Sequence, residues 1–295
     1  MVLSEVQEAR TLNGLREVPR IEALTLGDVE GGLALSDAAG WNQTADDWRF
    51  FVAEGEAFGM RDEAGRLVAS AAALPYGGAV GWISMVLVDA SHRHRGLATR
   101  LLDACIESLH RAGLVPVLDA TPAGAEVYRR IGFGAGFTYE RWQGEGGAGV
   151  GFGADGVVAA TGPGDGEAIV ALDRAIHGIG RARLLHAFLA RPTTQAWRSA
   201  DASGCALSRA GRRATQIGPL IAAGEDAALA LVATALAAAP GPVVIDVPVH
   251  QPAIARLLEQ RGFVRQRPFV RMALADTPAL AASPRVFAVA GPEFG

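Results

Sequence analysis

One stretch in the first half of the chain, ASHRHRGLATRLL (residues 90–102), combines two histidines, three arginines and a glycine. Three chemistries use such residues. A metal site would take His92 and His94, but two imidazoles are not a ligand set, and no cysteine or acidic cluster beside them supplies the rest. A nucleic-acid patch would take Arg93, Arg95 and Arg100, but no aromatic residues interleave with them and the chain has a net charge of −4. A phosphate cradle asks less of the side chains. The apolar run GWISMVLVD (81–89) reads as a buried strand, a turn follows, and from Gly96 the residues Leu97, Leu101, Leu102, Cys105, Ile106 and Leu109 recur at helical spacing. The first N–H groups of that helix are unpaired and favour an anion. Gly96 lets the backbone approach it, Ala98 is nearly as small, and the arginines add charge. A solvated loop ahead of a helix is the plain alternative.

Other residues narrow the chemistry. All 27 basic residues are arginine, so no Schiff-base lysine, pyridoxal-phosphate anchor or P-loop lysine exists in this sequence. Cys105 and Cys205 form no ligand or redox pattern and read as buried hydrophobes. Gly144 to Gly149 satisfies GxGxxG, but no helical pattern follows, so residues 143–156 are expected to be a glycine-rich linker. Tyr128, in EVYRRIGF (126–133), lies on a short amphipathic helix and is either a core residue or a proton donor with a reference pKa of about 10.

These residues must be positioned by elements, and the pattern of elements occurs twice. VPVLDA (115–120) finds a counterpart in PVVIDV (242–247), and EVYRRIGF in RLLEQRGF (256–263). MVLVDASHRHRGLATRLLDACI likewise matches TQIGPLIAAGEDAALALVATAL as strand then helix. The chain therefore reads as two diverged copies of one mixed α/β unit (α+β type), residues 1–142 and 157–295, each a central sheet flanked by helices. The second copy has AAGEDAAL where the first has SHRHRGLA, and Leu258 where the first has Tyr128, so only the first is expected to be catalytic. His177, His186, Asp246 and His250 are the second copy's polar candidates, with structural roles expected for each; the ending RVFAVAGPEFG is expected to add a strand. No run of about 18 apolar residues could cross a bilayer, and a cytoplasmic protein without nucleic-acid or membrane partners is expected.

The strand GWISMVLVD, the cradle Arg93-His94-Arg95-Gly96-Leu97-Ala98 with its helix, and the later AEVYRRIGF together resemble the GNAT superfamily of acetyl-CoA-dependent N-acetyltransferases. AGWNQTADDW and LDATPAG are also similar to a two-domain subfamily whose second domain is a degenerate copy. The resemblance implies acetyl-CoA as co-substrate, no metal, a small-molecule primary amine as acceptor and, as an open possibility, a homodimer. It implies that the strand ending at Val88 and the strand 115–120 splay to admit pantetheine, whose amides would pair with Val86, Leu87 and Val88. Arg93, His94, Arg95, Gly96, Leu97, Ala98 and Thr99 would hold the pyrophosphate. A backbone N–H near Leu87 would stabilise the oxyanion, and Tyr128 would protonate the departing thiolate. Thr121 stands where many relatives have asparagine near CoA. No carboxylate precedes Asp89 on the strand, so Asp119, on the neighbouring strand, is the candidate base, or else the cap of the next helix. Trp41, Asn42 and Asp46 lie where acceptor loops sit, though a helix cap beside a buried tryptophan also explains them. A CoA-binding sensor without turnover and a protein or peptide acetyltransferase are the competing functions.

Overall fold

The computed structural model describes residues 19–147, 156–160, 162 and 164–295. The first repeat comprises β1 (Glu22–Ala23), α1 (Val29–Ala38), α2 (Ala45–Glu54), β2 (Glu56–Arg61), β3 (Leu67–Pro75), β4 (Val80–Val88), α3 (Leu97–Arg111), β5 (Val115–Ala120), α4 (Pro122–Arg130) and β6 (Gly134–Gly146). The second comprises β7 (Val157–Ala159), α5 (Asp165–His177), α6 (Ala182–Leu189), β8 (Gln195–Ser199), β9 (Cys205–Arg209), β10 (Thr215–Ile221), α7 (Glu225–Ala238), β11 (Gly241–Pro248), α8 (Pro252–Gln260), β12 (Val264–Ala273) and β13 (Val286–Ala288).

Strands β3 and β4 are apolar and buried almost throughout because helices cover both faces. Alternation along β3 sends Ala69, Ala71 and Ala73 toward Leu101, Leu102 and Cys105 of α3, and Ala72 and Leu74 into the core that holds Trp48 and Phe51 of α2. The stripe on α3 is the one its sequence spacing predicts. The helix ends at Gly113, whose φ of +70° admits the turn, and the Leu114 N–H returns to the Leu109 carbonyl at 2.9 Å. Thr44 starts α2 with a capping box. Its hydroxyl accepts from the Asp47 N–H at 3.3 Å, and the Asp47 carboxylate accepts from the Thr44 N–H at 2.7 Å.

All the strands join one sheet, in the order β1-β2-β3-β4-β5-β12-β6-β11-β10-β9-β8-β7, with β13 beside β10. The centre of that order departs from two self-contained units. The last strand of the second repeat, β12, pairs with β5 of the first, and the last strand of the first, β6, pairs with β11 of the second. The exchanged strands run antiparallel to each other with Tyr139 opposite Phe269, rings stacked at 5.2 Å. Counted from the shared Gly-Phe step, these two residues occupy equivalent places in the repeats.

The exchange corrects the expected start of the linker. Residues 143–146 are not a spacer but the end of β6, paired with β11 from Gly241 to Val244. Their glycines are there for packing. A Cβ on Gly144 would lie 2.5 Å from the Phe263 ring, and one on Gly146 would collide with the Ala239 carbonyl. Gly144 to Gly146 of the GxGxxG match are strand, and residues 148–155 of the expected linker lie outside the described residues.

Candidate active site

The site starts with an irregularity in β4. Ala72 stands opposite Ser84 and Ser70 opposite Leu87, so Ala71 of β3 faces two residues, Met85 and Val86. This β-bulge puts Met85 at φ +54°, and the Ser70 hydroxyl donates to the Met85 carbonyl at 2.9 Å. A non-glycine residue held at positive φ by a buried hydrogen bond is a feature that clusters at functional sites. On its other edge β4 pairs with β5 only from Val80 to Trp82. Beyond that the strands part, as the family resemblance implies, and leave a cleft of about 180 Å³. Ile83 to Val86 line one wall, and Leu118 to Thr121, Gly124 and Tyr128 the other. Of the three strand residues expected at pantetheine, Val86 lines this cavity; Leu87 is buried in the core and Val88 offers its carbonyl to the Arg93 side chain at 3.3 Å.

The strand runs into the basic turn. The Asp89 carboxylate accepts from the Ser91 N–H at 3.0 Å and lies 3.2 Å from His92 Nδ1. Hydrogen bonds from Ser91 and then His92 hold Asp89 down at about 2. His92 is thereby part of the turn, and no group of three or more His, Cys, Asp or Glu that could hold a metal gathers among the described residues. His94 (φ +61°) and Gly96 (φ +73°) then bend the chain so that α3 starts at Leu97 with no side chain capping it. Around this open N-terminus, Arg93 and Arg95 are exposed and, among the described residues, paired with no carboxylate. The Arg95 guanidinium braces the Ser91 carbonyl at 3.0 Å, and Arg100 the Pro19 carbonyl at 2.8 Å. A Cβ on Gly96 would meet nothing within 4 Å, so the backbone angle, not crowding inside the protein, demands glycine there. Uncapped helix amides, small residues and guanidiniums without a carboxylate partner among the described residues fit a pyrophosphate.

Tyr128 projects from α4 into the cleft. Thr121 caps this helix by accepting from the Gly124 N–H at 3.3 Å, and Pro122 occupies its first turn. The absence of a side chain at Gly124 leaves room for the phenol; a Cβ there would approach the ring to 3.2 Å. Burial raises the Tyr128 pKa above 10, so the phenol stays protonated at neutral pH.

Asp119 is placed differently from the expectation. It lines the cleft, but both its oxygens accept from the Arg271 guanidinium of β12, at 3.0 and 3.0 Å, and the pair is buried. The equivalent carboxylate of the second repeat, Asp246, is held in the same way by Arg141 of β6, at 2.9 and 2.8 Å. Burial opposes the charge on Arg141, but Asp246 more than offsets it and keeps the guanidinium charged. Each exchanged strand thus brings an arginine to the other repeat's aspartate. The second repeat keeps this pair without a cradle or a tyrosine, so the pair belongs to the exchange and Asp119 is not a free base.

The acceptor-loop residues divide. Trp41 lines the cleft. Asn42 reaches it too, but its amide is committed: Oδ1 accepts from the N–H groups of Arg213 (2.8 Å) and Ala214 (3.0 Å), and Nδ2 donates to the Ala214 carbonyl at 3.0 Å. It clamps the β9–β10 turn to the first repeat. Asp46 is exposed beside Arg49 at 2.6 Å and does not reach the cleft. Sequence reasoning missed Gln43 and Ser84, which line the cleft with buried Oε1 and Oγ atoms that lack partners. A lone serine in an apolar strand was the signal for Ser84; nothing distinguished Gln43 from Asn42. It also missed Arg141, Arg267, Phe269, Pro292 and Glu293, which enter through the exchanged strands and the segment after β13.

The corresponding wedge of the second repeat is filled. Strands β10 and β11 pair only from Thr215 to Ile217, and β13 adds to β10 beyond that point, Ala288 opposite Leu220 and Val286 opposite Ile221. The Val289 N–H closes onto β11 through the Asp246 carbonyl at 3.0 Å. The strand expected from RVFAVAGPEFG is therefore present, lying where the first repeat keeps its cleft open. Of the second repeat's polar candidates, Asp246 pairs with Arg141; His177 is buried 3.6 Å from Asp173, His186 lies 3.1 Å from exposed Glu167, and His250 is 3.3 Å from the Ser283 carbonyl.

Comparisons with known proteins agree with this architecture. The profile of the Acetyltransferase (GNAT) family matches residues 32–133, and that of an Acetyltransferase (GNAT) domain matches residues 169–288. An uncharacterised N-acetyltransferase of Bacillus subtilis strain 168, YitH, is 25% identical over 239 residues, which is 80% of this chain and 84% of that protein. A putative acetyltransferase from Pyrococcus horikoshii shares the fold with a TM-score of 0.78 at 18% identity, covering 94% of this chain and 95% of that one. A tandem GNAT protein from the clavulanic acid biosynthesis pathway superposes with a TM-score of 0.65 at 14% identity, covering 88% of this chain and all (100%) of that one. Open cleft, basic helix start and repeated architecture together place the chain in the GNAT family of N-acetyltransferases, as a member with two GNAT domains in tandem.

Proposed function

We propose that the first repeat moves an acetyl group from acetyl-CoA to the primary amine of a small molecule, and that the second repeat does no chemistry. The observation that carries this reading is the cleft that joins the bulge of β4 to the Tyr128 phenol, on the strand that leads directly into the uncapped N-terminus of α3. Acetyl transfer needs a neutral amine, a stabilised oxyanion and a proton for the thiolate. Backbone at Met85 and Val86 lies beyond the last β4–β5 pair, at Trp82, and lines the cleft with polar groups. Residues 93–99 face the pyrophosphate. Tyr128, kept protonated by burial, donates to the CoA sulfur as the C–S bond breaks. A small acceptor fits because Arg267 and Phe269 of β12, together with Pro292 and Glu293, help to wall the cleft.

Calorimetric titration with acetyl-CoA tests the cofactor. Wild-type protein should bind it, and Gly96→Glu, which puts a carboxylate in the cradle, should abolish binding. Binding that survives this change would remove the cradle from the account. Tyr128→Phe should bind acetyl-CoA normally and lose about 10²-fold in thiol release with an amine acceptor, the scale of one general acid.

A further inference from the structure

Among the described residues, two carboxylates line the cleft, Asp119 and Glu293. Asp119 is clamped by Arg271, as described above. Glu293 is held otherwise: its position is fixed by its neighbours, and its carboxylate accepts from its own N–H but, among the described residues, from no side chain. The segment leaving β13 crosses from the second repeat to the first, and both ends of it are tied. Arg209 of β9 donates to the carbonyls of Gly218 at 3.2 Å and Ala290 at 2.7 Å. The Trp82 indole donates to the Pro292 carbonyl at 3.1 Å, and the Tyr76 hydroxyl to the Phe294 carbonyl at 2.9 Å. Phe294 is fully buried, stacked on Phe51 at 5.1 Å and edge-on to Phe188 at 5.1 Å. Gly291 clears space for the carboxylate between these anchors: a Cβ there would come within 3.0 Å of Glu293 Oε2. The Arg209 guanidinium stands 3.7 Å from Oε1, beyond hydrogen-bond range, and its donors go to carbonyls.

We propose that Glu293 is the general base of the transfer, delivered to the first repeat's cleft by the segment that follows the second repeat's plugging strand. This rests on the acetyltransferase reading given above. The acceptor arrives as an ammonium and gives one proton to Glu293, which passes it to water. The freed lone pair forms the C–N bond, and the C–S bond breaks as Tyr128 protonates the sulfur. The second nitrogen proton restores the Tyr128 phenol through solvent, so one amide, one thiol and one released proton result. Burial raises the Glu293 pKa, Arg209 and Arg141 oppose that rise, and Asp47 of α2 adds to it; a carboxyl raised in this way is a stronger base.

The test compares the wild type with Glu293→Gln, Glu293→Asp and Phe294→Ala, using saturating ethylamine and a panel of larger primary amines, with thiol release as readout. Acetyl-CoA binding, measured separately by calorimetry, should be the same in wild type and Glu293→Gln. If the wild type does not bind acetyl-CoA, the acetyltransferase reading itself fails. Given binding, Glu293→Gln should lower kcat about 10²-fold or more, the scale of one general base, and erase the acid limb of the kcat profile. Glu293→Asp should restore part of the rate, and Phe294→Ala, which unseats the anchor, should reproduce the Gln phenotype. A kcat for Glu293→Gln within threefold of wild type would overturn the proposal. So would a change confined to the acceptor KM, which marks an ammonium anchor. Turnover by neither protein despite bound acetyl-CoA would also overturn it, since no transfer would remain for Glu293 to assist.

Discussion

At the scale of single residues, the two buried aspartates separate holding from reacting. Removing one partner of a buried ion pair leaves the other charge uncompensated, a loss of about 3–5 kcal/mol. Asp119→Asn should therefore lower the denaturation midpoint strongly, and Asp246→Asn, which strips Arg141 of its partner, should do the same. If Asp119→Asn instead left stability intact and removed turnover, Asp119 would return as the base. Its choice as a candidate came from a legible feature, a lone acid in an apolar strand. What the sequence could not display was its partner, 152 residues further along the chain. Tyr128 and the cradle were legible because their neighbours lie on adjacent elements. His177 adds a pH dependence. Burial, foremost, pulls its pKa well below 6.5, and Arg181 adds to this while Asp173 opposes it. The unfolded chain then binds a proton that the folded one refuses, so stability is whole above about pH 6.5 and falls as the pH drops below it. Thermal midpoints should decline between pH 7 and 5, and His177→Gln should shallow that decline.

At the scale of elements, hydrophobic period fixed what was local. Alternation identified the buried strands, the 3.6-residue stripe gave α3, and the apolar tail announced β13. Pairing partners are another matter. Period says which face of a strand is buried but not which strand lies beside it, so the exchange of β6 and β12 left no local trace and its glycines read as a spacer. The helix start is open to a finer test. Gly96 needs its left-handed backbone but has empty space around it. Gly96→Ala should thus cost about 1 kcal/mol of stability through φ alone and, under the proposed function, weaken acetyl-CoA binding, because the added methyl would meet the phosphate at the cradle. A variant with equal stability but unchanged binding would assign that glycine no part in either.

At the scale of the whole molecule, the exchange makes the repeats interdependent. A cut within residues 148–155 leaves every strand described above whole, yet each half alone would expose the edge of β5 or β11 and keep a buried arginine without its aspartate. Separately expressed halves should aggregate or pair with themselves, whereas co-expressed halves should co-purify one to one and bind acetyl-CoA. Two independently soluble monomeric halves would contradict this view.

The filled wedge of the second repeat has a consequence for how such a molecule can vary. In an assembly of identical subunits every substitution occurs twice, and a strand that plugs one cleft plugs both. Joining the two copies in one polypeptide lifts that restriction. One side can close its wedge, drop its arginines and direct its trailing segment into the other, while the shared centre of the sheet keeps its near-symmetric pairing. The price of symmetry breaking here is one filled wedge, and what it makes available is a cleft furnished from both halves.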